Sequence, residues 1–276
     1  AKTINREMAM TWIGRRPDEH INTQIRRTTP IRQFAKYLNS LGIEAYVLPS
    51  YYPGKGVHYE PHIFTAQELA LFFSVADDMP PSPYNRVRHL FASVFFRLVY
   101  SCGLREGEAL RLKISDVDIE SGALFIYNSK GPKDRRVLMA EPLVRLCRNY
   151  LRELRDIFPG STWFFPGVKG LGHISSSSVI LLFHEIWDKA GITRYQGNPP
   201  RIHDFRHTMA VNTLTRWVRE YKDYNVLLPY LCHYLGHKNM RETDYYLHFA
   251  PEFFPTFKAM TGDTSFIPEA KPYEAR

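Results

Sequence analysis

The pattern of apolar positions near the start of the chain has the spacing of a helix. Apolar residues recur there every three or four positions, at Ile31, Phe34, Ala35, Tyr37 and Leu38. This spacing predicts an amphipathic helix that ends near Gly42. Residues 48–56 are rich in proline, glycine and tyrosine, a composition that favours neither helix nor strand. We therefore predict a helical module over residues 1–52 and a linker over residues 53–63.

The chain beyond the linker alternates helix-like and strand-like patterns. Thr65, followed three residues later by Glu68, is typical of a capped helix start. Helical periodicity then continues over residues 86–101, 105–112, 141–157, 175–190, 203–218 and 223–235. Two apolar runs, residues 123–127 and 135–139, flank a polar turn that holds Gly131, which predicts a β-hairpin.

These elements predict a mainly α protein with a small antiparallel β-sheet, an α+β architecture. The second domain is expected over residues 64–260. A tail over residues 261–276 is polar apart from Phe266 and Ile267. Two interpretations of this tail remain open, disorder and docking on a neighbouring subunit.

The composition is basic. The 276 residues carry a formal net charge of +8 and an isoelectric point near 9.3, which favours a polyanionic partner. The first 40 residues hold eight Lys or Arg against three acidic residues. Because phosphate contacts dominate the affinity of proteins for DNA, we interpret this excess as phosphate contact, with a solvated helix face as the alternative. The candidate contacts in the module are Arg26, Arg27, Arg32 and Lys36.

The predicted module is small. About 50 residues is few for an independently stable domain, because a short chain buries little apolar surface. We therefore expect the module to be incomplete, or to be supported by DNA or by a partner.

The sequence also bears on the compartment. It contains no apolar run of about 18 residues and does not open with a signal-peptide pattern, so we expect neither a membrane span nor secretion. Cys102, Cys147 and Cys232 are odd in number and widely spaced, which favours reduced, buried thiols over disulfides or a zinc site. These features predict a cytoplasmic protein.

Two arginines and two histidines are the leading candidates for chemistry. Breaking a phosphodiester requires donors for the charged non-bridging oxygens, and the guanidinium fork donates two parallel charged hydrogen bonds to phosphate. We assign this task to Arg105 and Arg206. Each preorganised donor of this kind is worth on the order of 3–4 kcal/mol in the transition state. His203 and His237 are predicted to donate to phosphate oxygens or to exchange protons near neutral pH.

The same reaction needs an acid for the leaving oxygen and a nucleophile for the phosphorus. Lys130, at the tip of the predicted hairpin, is the candidate acid. A solvated turn lysine is the alternative interpretation, and Lys133 is a rival for the role. A tyrosine phenol becomes a nucleophile when neighbouring cations favour its phenolate. Tyr245 and Tyr246 are the candidates, and the residue types alone leave the choice between them open.

Taken in order, these motifs resemble the catalytic part of the tyrosine recombinases, the family of phage and transposon integrases and chromosome-dimer resolvases. The family pattern is an arginine in a Gly-Leu-Arg turn, a hairpin lysine, His-x-x-Arg, Leu-Gly-His, and a tyrosine nine residues after that last histidine. The matching residues are Arg105, Lys130, His203, Arg206, His237 and Tyr246. The Tyr-Leu-His ending also favours Tyr246 over Tyr245. Glu108 matches the acidic residue of the family pattern, and the resemblance implies that it orients the first arginine.

The resemblance covers roughly residues 60–250 and implies a site-specific DNA recombinase or integrase. The implied fold is a catalytic domain preceded by a small helical module that clamps DNA. In such an enzyme Tyr246 attacks the scissile phosphate and leaves a covalent 3′-phosphotyrosine and a free 5′-hydroxyl. A 5′-hydroxyl of a partner duplex reverses the step, so the reaction is expected to need no metal, cofactor or ATP.

The resemblance also implies partners. These are double-stranded DNA recombination sites, further copies of the chain in a tetramer on two sites with exchange of the C-terminal tail, and accessory proteins. Near the predicted hairpin, Lys133 and Arg135 are further candidate DNA contacts. One segment departs from the family pattern, because the stretch between Arg206 and His237 is several residues longer than usual. We place this extra length in a loop between two helices, around residues 217–228.

Three other functions remain as alternatives. His203 with His207, and His233 with His237, have the spacing of metal ligands on one helix face, which suits a metal-dependent hydrolase, although the nearby arginines repel a divalent cation. A type IB topoisomerase-like enzyme shares the tyrosine chemistry and relaxes DNA instead of exchanging strands. A non-enzymatic DNA-binding accessory protein on the same scaffold is the third alternative.

Overall fold

The structure is a computed structural model that describes residues 3–57, 59–83, 85–127, 134–192, 200–220 and 222–249. The chain divides into two compact units between Glu60 and Pro61, a boundary inside the linker predicted over residues 53–63. The predicted hairpin tip, with Lys130 and Lys133, lies outside the described residues, as does the predicted tail.

The first unit contains two helices, α1 over Arg6–Ile13 and α2 over Ile21–Ser40. The predicted amphipathic helix is confirmed in α2, which begins earlier than its apolar pattern indicated. The reason is that the first half of α2 buries polar side chains. Gln24 donates to the carbonyl of Ile13 at 3.0 Å, and Thr28 donates to the carbonyl of Gln24 at 2.7 Å. A pattern of apolar positions does not detect such a buried polar face.

The second unit is mostly helical. In chain order its helices are α3 (Ala66–Asp77), α4 (Arg88–Ser101), α5 (Glu106–Leu110), α6 (Glu141–Ile157), α7 (Ser176–Lys189), α8 (Ile202–Arg219), α9 (Tyr224–Leu235) and α10 (Arg241–Asp244). Short 3₁₀ helices lie over Ile114–Asp116 and Tyr245–Phe249. The six predicted helical segments correspond to α4 through α9, with ends that differ by no more than two residues. The capping box predicted at Thr65 and Glu68 is confirmed.

The sheet is antiparallel with the strand order β1 (Val117–Asp118), β2 (Ala123–Ile126), β3 (Arg135–Leu138). The predicted pairing of β2 with β3 is confirmed, and the fold class is the predicted one. The sequence did not predict β1, because two residues are too few to show an alternating pattern. Along β3 burial alternates, with Arg135 and Val137 inside and Arg136 and Leu138 outside.

Helix α4 is the centre of the second unit and packs against α3, α6 and α8. Its residues from Phe91 to Phe96 are all buried. Phe96 packs against Phe205 of α8 with ring centroids 6.1 Å apart, and Phe205 also stacks on Phe64 at 4.5 Å. These contacts hold the first turns of α8 against the core.

The connection between α8 and α9 is short. α8 continues to Arg219 and α9 begins at Tyr224, so the extra length around residues 217–228 lies mostly within the two helices. The predicted loop there was wrong. Val218 and Leu228 are buried, so the segment keeps an apolar side that packs instead of extending into solvent.

Two further predictions concern the cysteines and the membrane. Cys102, Cys147 and Cys232 are free and buried, as predicted. Among the helices of the described residues, none combines the length and the apolar character that crossing a bilayer requires.

Candidate active site

Glu108 lies at the centre of a buried charge network. Its carboxylate accepts hydrogen bonds from Arg105 Nη1 at 2.9 Å and from Arg135 Nη1 and Nη2 at 3.0 and 2.7 Å. Burial by itself would raise the pKa of Glu108, but the hydrogen bonds and charge of Arg135, with those of Arg105, lower this pKa to about 2. Glu108 therefore stays ionised and holds the Arg105 guanidinium in one orientation.

Arg135 reaches this network because the alternation of β3 turns its side chain inward. The side chain is 1% exposed, and its Nε donates to the carbonyl of Tyr234 at 2.9 Å. The structure corrects the assignment of Arg135 to direct DNA contact, since a guanidinium buried against Glu108 is not presented to a duplex. Arg135 instead positions Glu108, and through it Arg105.

Two glycine turns bring backbone carbonyls to the arginines. Gly236 ends α9 with φ +67°, and its carbonyl accepts from Arg105 Nη2 at 3.0 Å. A Cβ at this position would lie 2.9 Å from Arg135 Nη1. Gly103 has φ +59°, and a Cβ there would lie 2.7 Å from the side chain of Leu235. The Gly-Leu-Arg and Leu-Gly-His motifs therefore keep glycine where two turns approach closely.

Arg206 is buried between the same two turns. Its Nη2 donates to the carbonyl of Leu235 at 2.7 Å, and its Nη1 donates to the carbonyl of Gly103. Burial lowers the pKa of Arg206 to about 10, with Tyr246 opposing and Arg105 adding to that shift. Arg206 therefore remains a cation at neutral pH, held in place by backbone carbonyls.

The candidate histidines are neutral in this environment. Burial, with the charges of Arg206 and neighbouring cations, lowers the pKa of His203 to about 4. Burial and the charges of Arg206 and Arg105 lower the pKa of His237 to about 3. His237 Nδ1 lies 2.8 Å from Thr243 Oγ1. Such low pKa values favour hydrogen bonding by neutral imidazoles over the proton exchange near neutral pH that the sequence suggested.

Tyr246 lies among these groups, in the 3₁₀ helix Tyr245–Phe249. It is 3% exposed, and its ring lies near those of His207 and His237, with centroid distances of 5.4 and 5.9 Å. Burial raises the pKa of Tyr246, although a hydrogen bond from Arg206 and the charges of Arg206 and Arg105 oppose this rise. Tyr245 is half-buried and packs against Phe249 at 5.1 Å. The structure therefore brings Arg105, His203, Arg206, His237 and Tyr246 into one site.

Of the four phosphate contacts predicted in the first unit, two bind other groups of that unit and two are exposed. Arg27 pairs with Glu19 at 2.8 Å, and Arg32 donates to the carbonyl of Pro49 at 2.8 Å and to that of Tyr52 at 2.7 Å, so both bind within the unit. The other two, Arg26 and Lys36, are exposed on α2.

His207 is the residue that the sequence analysis did not assign to the site. Its i,i+4 spacing from His203 suggested a metal pair, and the two rings do meet, with centroids 4.7 Å apart. Within the described residues, no group of three or more His, Cys, Asp or Glu comes together as a metal site. The same spacing signal could instead have indicated two imidazoles that share one face of α8.

Known proteins resemble this chain in sequence. The model of the phage integrase family matches residues 64–252. An integrase/recombinase of Sinorhizobium fredii, y4rB, is 30% identical over 256 residues, which cover 90% of this chain and 81% of that protein.

Solved structures share the fold. The XerH site-specific recombinase bound to a palindromic difH substrate, in a post-cleavage complex, has a TM-score of 0.67 and 21% identity, and the match covers 90% of this chain and 69% of that chain. A lambda integrase tetramer bound to a Holliday junction has a TM-score of 0.58 and 16% identity, over 87% of this chain and 62% of that chain.

Proposed function

Because the chain belongs to the phage integrase family of tyrosine recombinases, we propose that it is a site-specific DNA recombinase that works through a covalent 3′-phosphotyrosine. One observation carries this proposal. The phenol of Tyr246 is buried and lies within the field of the Arg206 and Arg105 charges, so the candidate nucleophile stands beside the candidate phosphate donors.

The chemistry follows from that placement. The Tyr246 phenol loses its proton to solvent, its oxygen attacks phosphorus as the bond from phosphorus to the 5′ oxygen breaks, and the 5′ oxygen takes up a proton as it leaves. Arg105 and Arg206 hold the non-bridging oxygens. Their guanidinium groups are already oriented by backbone carbonyls, so little reorganisation accompanies the reaction. The phosphotyrosine keeps the bond energy, and rejoining therefore needs neither ATP nor a metal ion.

Other assignments belong to the same proposal. Lys130 protonates the leaving 5′ oxygen, and Lys133 contacts DNA beside it. Arg26 and Lys36, both exposed on α2, contact the phosphate backbone. The partners are two DNA sites bound by a homotetramer that exchanges C-terminal tails, together with accessory proteins. The tetramer is supported by the similar fold of the lambda integrase subunits bound to a Holliday junction.

A covalent capture experiment tests the nucleophile and the reaction class together. The chain is incubated in excess EDTA with a pool of nicked suicide duplexes of varied core sequence, whose short cleaved strand diffuses away. We expect a denaturant-resistant protein–DNA adduct, and sequencing of the captured DNA then identifies the site. The adduct should disappear in Tyr246→Phe and persist in Tyr245→Phe.

Each other outcome points to a different function. Loss of the adduct only in Tyr245→Phe keeps the reaction class and contradicts the choice of nucleophile. An adduct that forms only without EDTA favours a metal-dependent hydrolase. Relaxation of a plasmid without strand exchange favours a type IB topoisomerase-like enzyme, and DNA binding without any adduct favours an accessory protein.

A further inference from the structure

His207 is a half-buried titratable residue to which the proposed mechanism gives no task. Its ring contacts both His203, with centroids 4.7 Å apart, and Tyr246, with centroids 5.4 Å apart. It therefore joins the candidate donor His203 to the candidate nucleophile. The ring of His237 also lies near Tyr246, with centroids 5.9 Å apart, so two imidazoles contact the phenol ring.

The Nδ1 atom of His207 is buried and has no hydrogen-bond partner among the described residues. Burying a polar atom without a partner costs about 1–3 kcal/mol. An apolar ring of similar size would give Tyr246 the same edge contact without this cost. Packing alone therefore does not explain a histidine at this position.

The phenol of Tyr246 needs a group that accepts its hydrogen. The charge of Arg206 acts on the phenol, but a guanidinium is a donor only and cannot accept the phenol hydrogen. The phenol hydrogen must then be given to another group. A neutral imidazole has one nitrogen that accepts, and burial with the nearby His203 and Arg201 lowers the pKa of His207 to about 3. His207 is thus a neutral neighbour able to accept.

We propose that His207 is a positioning residue for strand cleavage: once DNA is bound, its Nδ1, which has no partner among the described residues, accepts the hydrogen bond of the Tyr246 hydroxyl and so directs an oxygen lone pair at the scissile phosphate. This inference rests on the proposed function, in which Tyr246 is the nucleophile. His207 and Arg206 then fix the phenol oxygen from two sides, one as acceptor and one as donor. Attack requires such alignment, because misplacement of a reacting atom by about 1 Å can cost on the order of a hundredfold in rate.

Three variants of His207 separate the effect of its hydrogen-bond acceptor from the effect of its ring. His207→Asn keeps an acceptor close to the position of Nδ1, whereas His207→Leu has nearly the same shape and no acceptor. His207→Phe keeps the ring contact and also lacks the acceptor. Single-turnover adduct formation is measured on a suicide duplex that the wild-type chain captures, with DNA affinity measured in parallel.

We expect Leu and Phe to slow adduct formation by at least about tenfold, the loss expected for one hydrogen bond. Asn should stay within about threefold of wild type, and all variants should bind DNA equally. Because the unpaired nitrogen is removed, Phe should unfold at or above the wild-type temperature. Equal rates in Asn and Leu, or a wild-type rate in Phe, would overturn the proposal and leave His203 as the acceptor. If the wild-type chain forms no adduct at all, the proposed function fails first.

Discussion

The ionised residues of the candidate site together carry more positive than negative charge. The guanidinium charges of Arg105 and Arg135 act on Arg206, and so does the carboxylate charge of Glu108. Glu108 balances one of the three guanidinium charges, and the histidines are neutral. The net positive charge that remains on the three arginines is complementary to the negative charge of a phosphoryl transition state. Glu108 therefore orients the donors without cancelling their charge.

The first prediction removes this orienting charge. Glu108→Gln removes the negative charge that pairs with the buried Arg135, and breaking a buried pair typically costs about 3–5 kcal/mol. We expect the free energy of unfolding to fall by that order, and adduct formation to slow by at least tenfold while DNA affinity persists. Urea unfolding and the suicide substrate measure the two effects.

A matched control for that variant lies on the same helix. Glu106 is two residues away on α5 and accepts from Ser176 instead of an arginine. Glu106→Gln should change stability and adduct formation little. Equal effects of the two variants would contradict the orienting role of Glu108.

Secondary-structure elements place the carbonyls that preorganise the arginines. The end of α9 supplies the carbonyls of Leu235 and Gly236, and the turn after α4 supplies that of Gly103. Strand β3 supplies Arg135 because its alternating burial turns this residue inward. The site is therefore assembled where the ends of three elements meet, and backbone geometry at those ends controls the side chains.

The second prediction tests the end of α9. Gly236→Ala places a Cβ 2.9 Å from Arg135 Nη1, at a residue with φ +67°. We expect a loss of about 1–2 kcal/mol from the left-handed backbone, a further loss from the displaced Arg135, and slower adduct formation. Thermal unfolding and single-turnover capture measure these effects.

Gly191 is the matched control for this variant. It follows α7 with φ +63°, and a Cβ there would meet nothing within 4 Å. Gly191→Ala should show the backbone strain alone and keep the wild-type rate of adduct formation. If both alanine variants lose stability equally and cleave normally, the contact of Gly236 with Arg135 has no role in the site.

At the scale of the whole molecule, we expect the free energy of unfolding to depend on pH because of the histidines in the candidate active site. Burial and neighbouring cations lower the pKa of His203 to about 4 and the pKa values of His207 and His237 to about 3. An unfolded chain takes up protons on these residues near pH 6.5. Below that pH the unfolded state therefore binds more protons than the folded state, and the folded state loses stability.

The third prediction follows from this loss of stability at low pH. The free energy of unfolding should fall between pH 6.5 and pH 5, by up to about 1.4 kcal/mol per pH unit for each buried histidine. Chemical denaturation across this range measures the slope. His207→Asn should reduce the slope, whereas His233→Asn, at an exposed position, should leave it unchanged. A slope that His207→Asn does not alter would contradict the neutral, buried state of His207.

The sequence by itself determined the local elements and the order of the chemical groups. Capping at Thr65 and the apolar spacing over residues 141–157 involve neighbours within a few turns, so the capping box and the bounds of α6 could be predicted. The pairing of β2 with β3 could be predicted because the two strands are close together in the sequence. The motif order identified the five site residues that the structure brings together.

Only the tertiary structure decided what each buried polar side chain contacts. Arg135 was predicted to contact DNA and instead binds Glu108, and Arg27 instead pairs with Glu19. His207 contacts the rings of both His203 and Tyr246. These partners belong to different elements, and a charge buried against a partner distant in sequence has the same local pattern as a charge exposed to solvent. Burial and partner choice depend on how the elements pack, and the local pattern contains no record of that packing.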